Sequence, residues 1–408
     1  MGVLSLAAAQ GDVPMCELLL EYGADISQRD TVGATSLIHA AARGATAAVQ
    51  LLLASKAGAN LGRQWLLQQA TEGGETAVMA AAKGGHLDTL QALCAAGADP
   101  AAASARGVTA LLLAAKHNRA AVVQHLATQC GCSCSQADSS GTSPLMAAAA
   151  GAAREVVALL LQHSQQWGVQ LAAVDAAGDG AVVYAARGGD AEVLQMLAAA
   201  GLPLTAQWPC WGAANASKQQ NAPTPACQPT AAGLAHAAPA VQPTPLMPGA
   251  AQRGCCPAPC GVLAGLCLDG GDALMYVAAA AGSVGVVAWL LQQGIGVKCL
   301  AARDKHSAVF AAVRQGQADM VRYLVQQGAS LEARDERGRT PLAWVAAAGA
   351  GSMVRLLVGL GADLLAADSA GMVPRQLAHA TDQRSTAELL TQLARDKLLL
   401  HCSDDGSC

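Results

Sequence analysis

A small-residue turn returns along this chain about every 33 residues, and that recurrence constrains the fold more than any other feature. In its fullest form the turn reads Asp-x-x-Gly-x-Thr. Its glycine stands at Gly33, Gly74, Gly107, Gly141, Gly178, Gly271, Gly338 and Gly371, with Lys305 filling the slot once. The step from 107 to 141 is 34, and from 338 to 371 it is 33. A second marker is an Ala-Ala pair followed three residues later by Gly: Ala40-Ala41 with Gly44, Ala81-Ala82 with Gly85, Ala185-Ala186 with Gly189, Ala278-Ala279 with Gly282. A third closes the unit, as Gly23-Ala24-Asp25, Gly58-Ala59-Asn60, Gly97-Ala98-Asp99, Gly328-Ala329-Ser330 and Gly361-Ala362-Asp363. Self-similarity at this period is the signature of a solenoid, in which each unit buries its core against its neighbours.

The local chemistry predicts a helix–turn–helix unit. Thr35, Thr76, Thr109, Ser143, Ser307 and Thr340 stand where a first helix begins, as N-caps with a hydroxyl acceptor. Pro144 and Pro341 follow at the first helical position, where a missing N–H costs nothing. The glycine after each Ala-Ala pair permits a sharp turn. A second helix then shows an apolar face, as in Val156-Val157-x-Leu159-Leu160-Leu161 and Met353-Val354-x-Leu356-Leu357-Val358.

Composition agrees with thin, tightly packed units. Hydrophobic residues make up 53% of the 408, yet aromatics only 3%, and Phe310 is the single Phe. The chain holds 95 alanines, so buried surface must come from close helix-on-helix contact across methyl groups. The apolar fraction excludes a disordered chain, and irregular glycine with scarce Lys and Glu excludes collagen and coiled coil. An ordinary enzyme core would use more Phe, Tyr and Ile. The net charge of −4 lacks the basic excess of a general nucleic-acid or membrane-surface binder. Ala273–Val297 carries no charge and would read as a membrane span on hydropathy alone. Gly282-Ser283 and Gln292-Gln293-Gly294 fall where the repeat places its turns, so no span is expected. The N-terminus lacks a basic n-region, so no signal peptide is expected, and Met1–Leu6 misses a myristoylation pattern by one position. Fourteen scattered cysteines read as reduced thiols, which points to the cytoplasm and leaves the nucleus open.

Gly338-Arg339-Thr340-Pro341-Leu342, then Val345-Ala346-Ala347-Ala348-Gly349, then Gly361-Ala362-Asp363, resembles an ankyrin repeat. Ten units align in register, over most of the chain outside one insertion. The resemblance implies an all-α ankyrin-repeat solenoid of helix–turn–helix units with short hairpin tips. The chain departs from the family after Thr-Pro-Leu, where His is usual. Here Ile38, Met79, Leu112, Met146, Val183, Tyr276, Phe310 and Ala343 occupy that slot. An imidazole hydrogen bond between turn and helix is therefore expected to be missing throughout.

Spacing divides the chain. Residues 1–204 hold repeats 1–6, and 265–397 hold repeats 7–10. Between them 205–264, rich in Pro, Ala, Gln and Cys, reads as a disordered insertion. Either it divides the array into blocks of six and four repeats, or it loops out while the sixth and seventh repeats still stack; the internal-type apolar faces of both flanking repeats favour stacking. Residues 398–408 read as a polar tail. A smaller insertion of about eight residues falls around Ala57–Gln69, since Gly33 to Gly74 is 41.

No catalytic constellation is present: no Gly-x-Ser-x-Gly elbow, His-Glu-x-x-His or phosphate loop. Cys130-x-Cys132-x-Cys134 and the Cys255, Cys256, Cys260, Cys267 group lack zinc-site spacing. No catalytic residue, cofactor or metal is expected, and the chain reads as a non-enzyme.

The resemblance places partners in a concave groove lined by hairpin tips and by the end of each first helix. At the helix ends stand Arg43, Lys83, Lys116 with His117, Arg187 and Arg314, with no Asp or Glu. At the tips Glu75, Arg106, Asp179, Arg337 and Arg339 are candidates. A cationic stripe on a net-acidic chain selects an acidic segment. The expected function is a monomeric scaffold or adaptor that binds other proteins, without nucleic acid. The competing expectation is a regulatory or targeting module of a larger enzyme. The missing turn of the first repeat and the cysteine-rich loop motivate it.

Overall fold

The computed structural model describes residues 2–55, 62–202, 271–297 and 307–404. The 205–264 insertion, the Gly58-Ala59-Asn60 tail, the Lys305 turn and Cys255, Cys256, Cys260 and Cys267 lie outside them. Each repeat supplies two helices. They are α1 (Val3–Gln10) and α2 (Val13–Glu21), then α3 (Ser36–Arg43) and α4 (Thr46–Ala54). A short helix, α5 (Arg63–Gln68), precedes the third repeat, which holds α6 (Ala77–Gly84) and α7 (Leu87–Ala95). Next come α8 (Ala110–Lys116) with α9 (Ala120–Thr128), α10 (Pro144–Ala150) with α11 (Arg154–Gln162), and α12 (Ala181–Gly188) with α13 (Ala191–Ala199). The last four repeats are α14 (Gly271–Ala281) with α15 (Val284–Gln292), α16 (Ala308–Arg314) with α17 (Ala318–Gln326), α18 (Pro341–Ala348) with α19 (Gly351–Gly359), and α20 (Pro374–Ala380) with α21 (Arg384–Asp404). Among the described residues no strand forms; the hairpins carry isolated bridges such as Ala103 with Thr109. The fold is an all-α solenoid.

One backbone position sets the register. Between the two helices of every repeat one residue takes the left-handed conformation: Gly11, Gly44, Gly85, Asn118, Ala152, Gly189, Gly282, Gly316, Gly349 and Asp382. In eight of the ten it follows the hairpin glycine by eleven residues, as from Gly33 to Gly44 and from Gly371 to Asp382; Lys305 holds that place before Gly316, and the sequence has no such position before Gly11. Three and four residues before it lie the alanines of the seam, such as Ala81 and Ala82, Ala114 and Ala115, Ala148 and Ala149, all but fully buried. Five residues after it, on the second helix, Val49, Leu90, Val123, Val157, Leu194, Val287, Val321 and Val354 are 0% exposed. First helices thus stack on first helices, with methyl groups between the backbones.

The stack continues across the long insertion. Helix α12 packs on α14 and α13 on α15. The inserted helix α5 is an element that periodicity does not predict. Its Leu66 and Leu67 are buried, so the extra residues add to the core. Helix α21 runs to Asp404, into the segment expected to be tail, because no Gly or Pro interrupts it before Gly406.

Local caps differ between repeats. Thr76, Thr109, Ser143 and Thr340 each accept a hydrogen bond from the backbone N–H three residues on, as N-caps do. Thr35 and Ser307 do not cap; their hydroxyls are buried without a partner among the described residues. In the hairpins an aspartate carries the turn. Asp138 Oδ1 accepts from Ser140 N–H and Thr142 N–H, and Asp335 Oδ1 accepts from Arg337 N–H and Arg339 N–H, both at 2.8–2.9 Å. Thr71 and Ser104 serve the same slot with hydroxyls.

The expectation that no imidazole joins turn to helix is corrected. His39 Nε2 lies 2.8 Å from Asp30 Oδ2, and Tyr184 OH donates to Asp175 Oδ2 at 2.7 Å. Both groups sit one residue beyond the family's usual slot, nine after the turn aspartate. Burial pushes the Asp30 carboxyl up, but hydrogen bonds from Ala34 N–H, His39 and Val32 N–H outweigh it and hold the acid below its ordinary 3.8.

Ala152 takes the left-handed slot at φ 52°, where a Cβ costs about 1–2 kcal/mol. Ala152→Gly is therefore expected to stabilise the chain by about 0.5–1 kcal/mol, after the greater unfolded-state freedom of glycine is subtracted. A thermal melt checks this: an unchanged or lower midpoint would show that the turn carries no strain.

Candidate functional site

The candidate groove residues come from two recurring positions. Lys83, Lys116, Arg187 and Arg314 all stand two residues before the left-handed residue, in the last turn of the first helix. A cation there also complements the negative end of the helix dipole. Arg43 falls out of this register. It stands one residue later, directly before Gly44, in the slot that His117 and Gly151 occupy in their repeats. Arg43, Lys83, Lys116, His117, Arg187 and Arg314 are all exposed.

Two of these cations are already partnered. Lys83 Nζ lies 3.4 Å from Glu75 Oε1, eight residues earlier on the hairpin, with both side chains well exposed. Arg187 donates to Asp179 Oδ2 at 2.6 Å across the same spacing of eight, and it lies 5.7 Å from the Tyr184 ring centroid. Asp179 is buried, so its carboxylate is committed to its own repeat. At the equivalent hairpin position of the fourth repeat stands Val108, and Lys116 makes no ion pair among the described residues.

Lys116 belongs to a cluster. Burial lowers the His117 pKa first, and the positive charges of Lys83, Lys116 and Arg119 lower it further against the opposing pull of Glu75. The imidazole is thus neutral near pH 7 and titrates below its ordinary 6.5. Arg119 Nε also donates to the Lys83 carbonyl oxygen at 3.2 Å, which fixes it across the seam between the third and fourth repeats. Sequence reading passed over Arg119 because it lies past the turn, at the start of the second helix.

The tips divide in the same way. Arg339 holds the buried Asp335 carboxylate, Nε to Oδ2 2.8 Å, and is structural first. Arg106 and Arg337 are exposed, while their carbonyl oxygens accept from Ser139 N–H at 2.9 Å and Ser369 N–H at 3.0 Å in the next repeat. Val32 with Glu72 and Ser140 with Ala176 repeat this bond, so the tips are linked along the stack. The turn glycine is what permits that approach. A Cβ on Gly338 would stand 2.8 Å from Ser369 N, and its φ of 70° disfavours any side chain.

The thiols form a group of their own. Burial, then the neighbouring Cys130, pushes the Cys94 thiol up to about 12. Burial pushes Cys132 and Cys134 up to about 11. Such thiols stay protonated at neutral pH and are poor nucleophiles. Cys16, Cys94, Cys130, Cys132 and Cys134 are all free. Among the described residues no helix is long and apolar enough to cross a membrane. The 273–297 stretch is broken by the turn at Gly282.

The recurring hairpin, helix pair and left-handed turn have a counterpart among known proteins. A family model described as ankyrin repeats (3 copies) matches residues 4–104, 63–138, 111–207 and 274–368, together well over half of the chain. With the helix pairs stacked in register over the same residues, the chain belongs to the ankyrin-repeat family, whose repeats are in general protein–protein interaction modules.

Proposed function

We propose that this chain is a non-enzymatic scaffold or adaptor that takes an acidic segment of a partner protein into the groove beside its hairpin tips. The observation that carries this reading is the cluster at the third and fourth repeats. Lys83, Lys116, His117 and Arg119 are gathered there against one carboxylate, Glu75. Four cations recurring in one slot give the groove a positive line on a chain of net charge −4. Such a line steers an acidic ligand inward and raises the association rate. Lys116, exposed and without an ion pair among the described residues, is free to pair with it. Lys83 exchanges an exposed partner, since a half-exposed pair is worth only about 0–1 kcal/mol. Arg187 contributes field but stays on Asp179. The tips at Arg106 and Arg337 supply further contacts. The chain acts as a monomer without cofactor, and its free thiols suit a reducing compartment, the cytoplasm or the nucleus.

The test uses the full chain and a fluorescent, glutamate-rich peptide followed by anisotropy. Lys83→Glu with Lys116→Glu and Arg187→Glu is expected to weaken binding at least about tenfold and to flatten its salt dependence. His117 adds the pH signature. Its lowered pKa leaves it neutral at pH 7, so the peptide binds more tightly as pH falls below 6.5, and His117→Gln removes that gain. Unchanged affinity and salt slope in the triple variant would sink the groove reading.

A further inference from the structure

The first repeat leaves uncovered two positions that every later repeat buries. Four residues after the left-handed turn, Ala48, Thr89, Val122, Val156, Val193 and Val286 are at most 1% exposed. Met15, in that slot of the first repeat, is 43% exposed. Eight residues before the turn, Ala77, Ala110 and Leu274 are buried, while Val3 is 67% exposed. Leu6 and Leu18 flank these two at 50% and 49%, in slots that later repeats half-bury, as at Leu113 and Leu159. In the later repeats these slots meet the helix pair of the preceding repeat, as α3 meets α1 and α4 meets α2. The outer face of α1 and α2 is therefore shaped to receive a helix, by the same packing that builds the stack.

We propose that this face docks a basic amphipathic helix of a partner protein. The charge around it selects the occupant. Residues 1–28 contain no Lys, Arg or His, and Asp12, Glu17, Glu21 and Asp25 are all exposed. A helix with an apolar stripe of Ala and Leu flanked by Lys or Arg meets both features, apolar against apolar and cation against carboxylate. A second copy of the chain meets only the first, since self-pairing would set two carboxylate rims against each other. This surface is separate from the groove, which lies on the tips and first-helix ends.

Two labelled 18-residue helical peptides test the proposal on the full chain, one with an Ala/Leu stripe flanked by Lys and the other with the same stripe flanked by Glu. The Lys-flanked peptide is expected to bind, and the Glu-flanked one to bind at least about tenfold more weakly. Met15→Ser with Leu18→Ser, both at exposed positions, should weaken the first peptide about tenfold with the melting temperature unchanged. The groove variant with Lys83→Glu and Lys116→Glu should leave it unaffected, which separates this proposal from the groove reading. Equal affinity for both peptides overturns the proposal, as does binding that survives the double serine change. Sedimentation equilibrium showing a dimer abolished by Leu18→Ser would assign the face to a second copy instead and overturn it as well.

Discussion

Gly151→Ala is expected to destabilise the chain by about 3 kcal/mol, the upper end of what overpacking costs. Gly151 is exposed and has an ordinary φ of −83°, so neither burial nor backbone strain marks it as sensitive. The reason is the neighbouring repeat. A Cβ there would fall on the Lys116 carbonyl oxygen and stand 2.9 Å from its carbonyl carbon. A backbone carbonyl at the end of α8 cannot swing aside as a side chain can, so the two repeats must part. Because each repeat is stabilised mainly by its neighbours, the damage concentrates at the interface between the fourth and fifth. A single cooperative unfolding curve should split into two, with the array divided there. Gly285→Ala is the control, since a Cβ at that helical position meets nothing within 4 Å. Equal melting of wild type and Gly151→Ala would refute the close approach.

Leu126→Ala is expected to cost about 2–5 kcal/mol, the range for deleting a buried leucine and leaving a cavity. Leu126 is 0% exposed on α9, and its neighbours α7 and α11 are helices that cannot collapse onto it without losing their own contacts. Urea unfolding with a constant slope measures the loss. Leu18→Ala should change stability by less than about 0.5 kcal/mol, because half of that side chain already meets water. A loss below 1 kcal/mol for Leu126→Ala would mean that the second helices contribute little to the stack.

The helix pairs were legible because their markers return at fixed offsets. The hairpin glycine, the seam alanines and the left-handed residue hold one spacing, so any single copy is checked by the others. What lacked a periodic counterpart was hidden. Helix α5 occurs once, and its two buried leucines look like any apolar pair in an insertion. The turn-to-helix link lies one residue beyond the family's slot, since His39 and Tyr184 are on the face that reaches back to an aspartate nine residues away. Arg43 looked like a member of the cationic line because it precedes a glycine, as Arg187 nearly does. Counted from the hairpin glycine the two differ, since Arg43 is ten after Gly33 and Arg187 nine after Gly178, and the left-handed turn at Gly189 places Gly188 between Arg187 and the turn. The partnering of Lys83 by Glu75 and of Arg187 by Asp179 has a spacing of eight, readable in principle once the turn glycine is used as origin.

From the second repeat on, the sequence keeps a count of eleven from hairpin to left-handed turn, and every second helix up to α19 is nine residues long. All variation in repeat length therefore falls after the second helix, before the next hairpin. The chain thus has two kinds of joint. The one inside the helix pair is a gauge: the residue after it reaches over the neighbour, as His86 does to Gly44 and Arg119 to Gly85, so one added residue would misplace every tooth that follows. The joint between repeats is a spacer. There the chain has accepted the residues around α5 and the long run 205–264, with the register of the next turn intact. New sequence can be admitted at that edge and carried by the array without being measured by it.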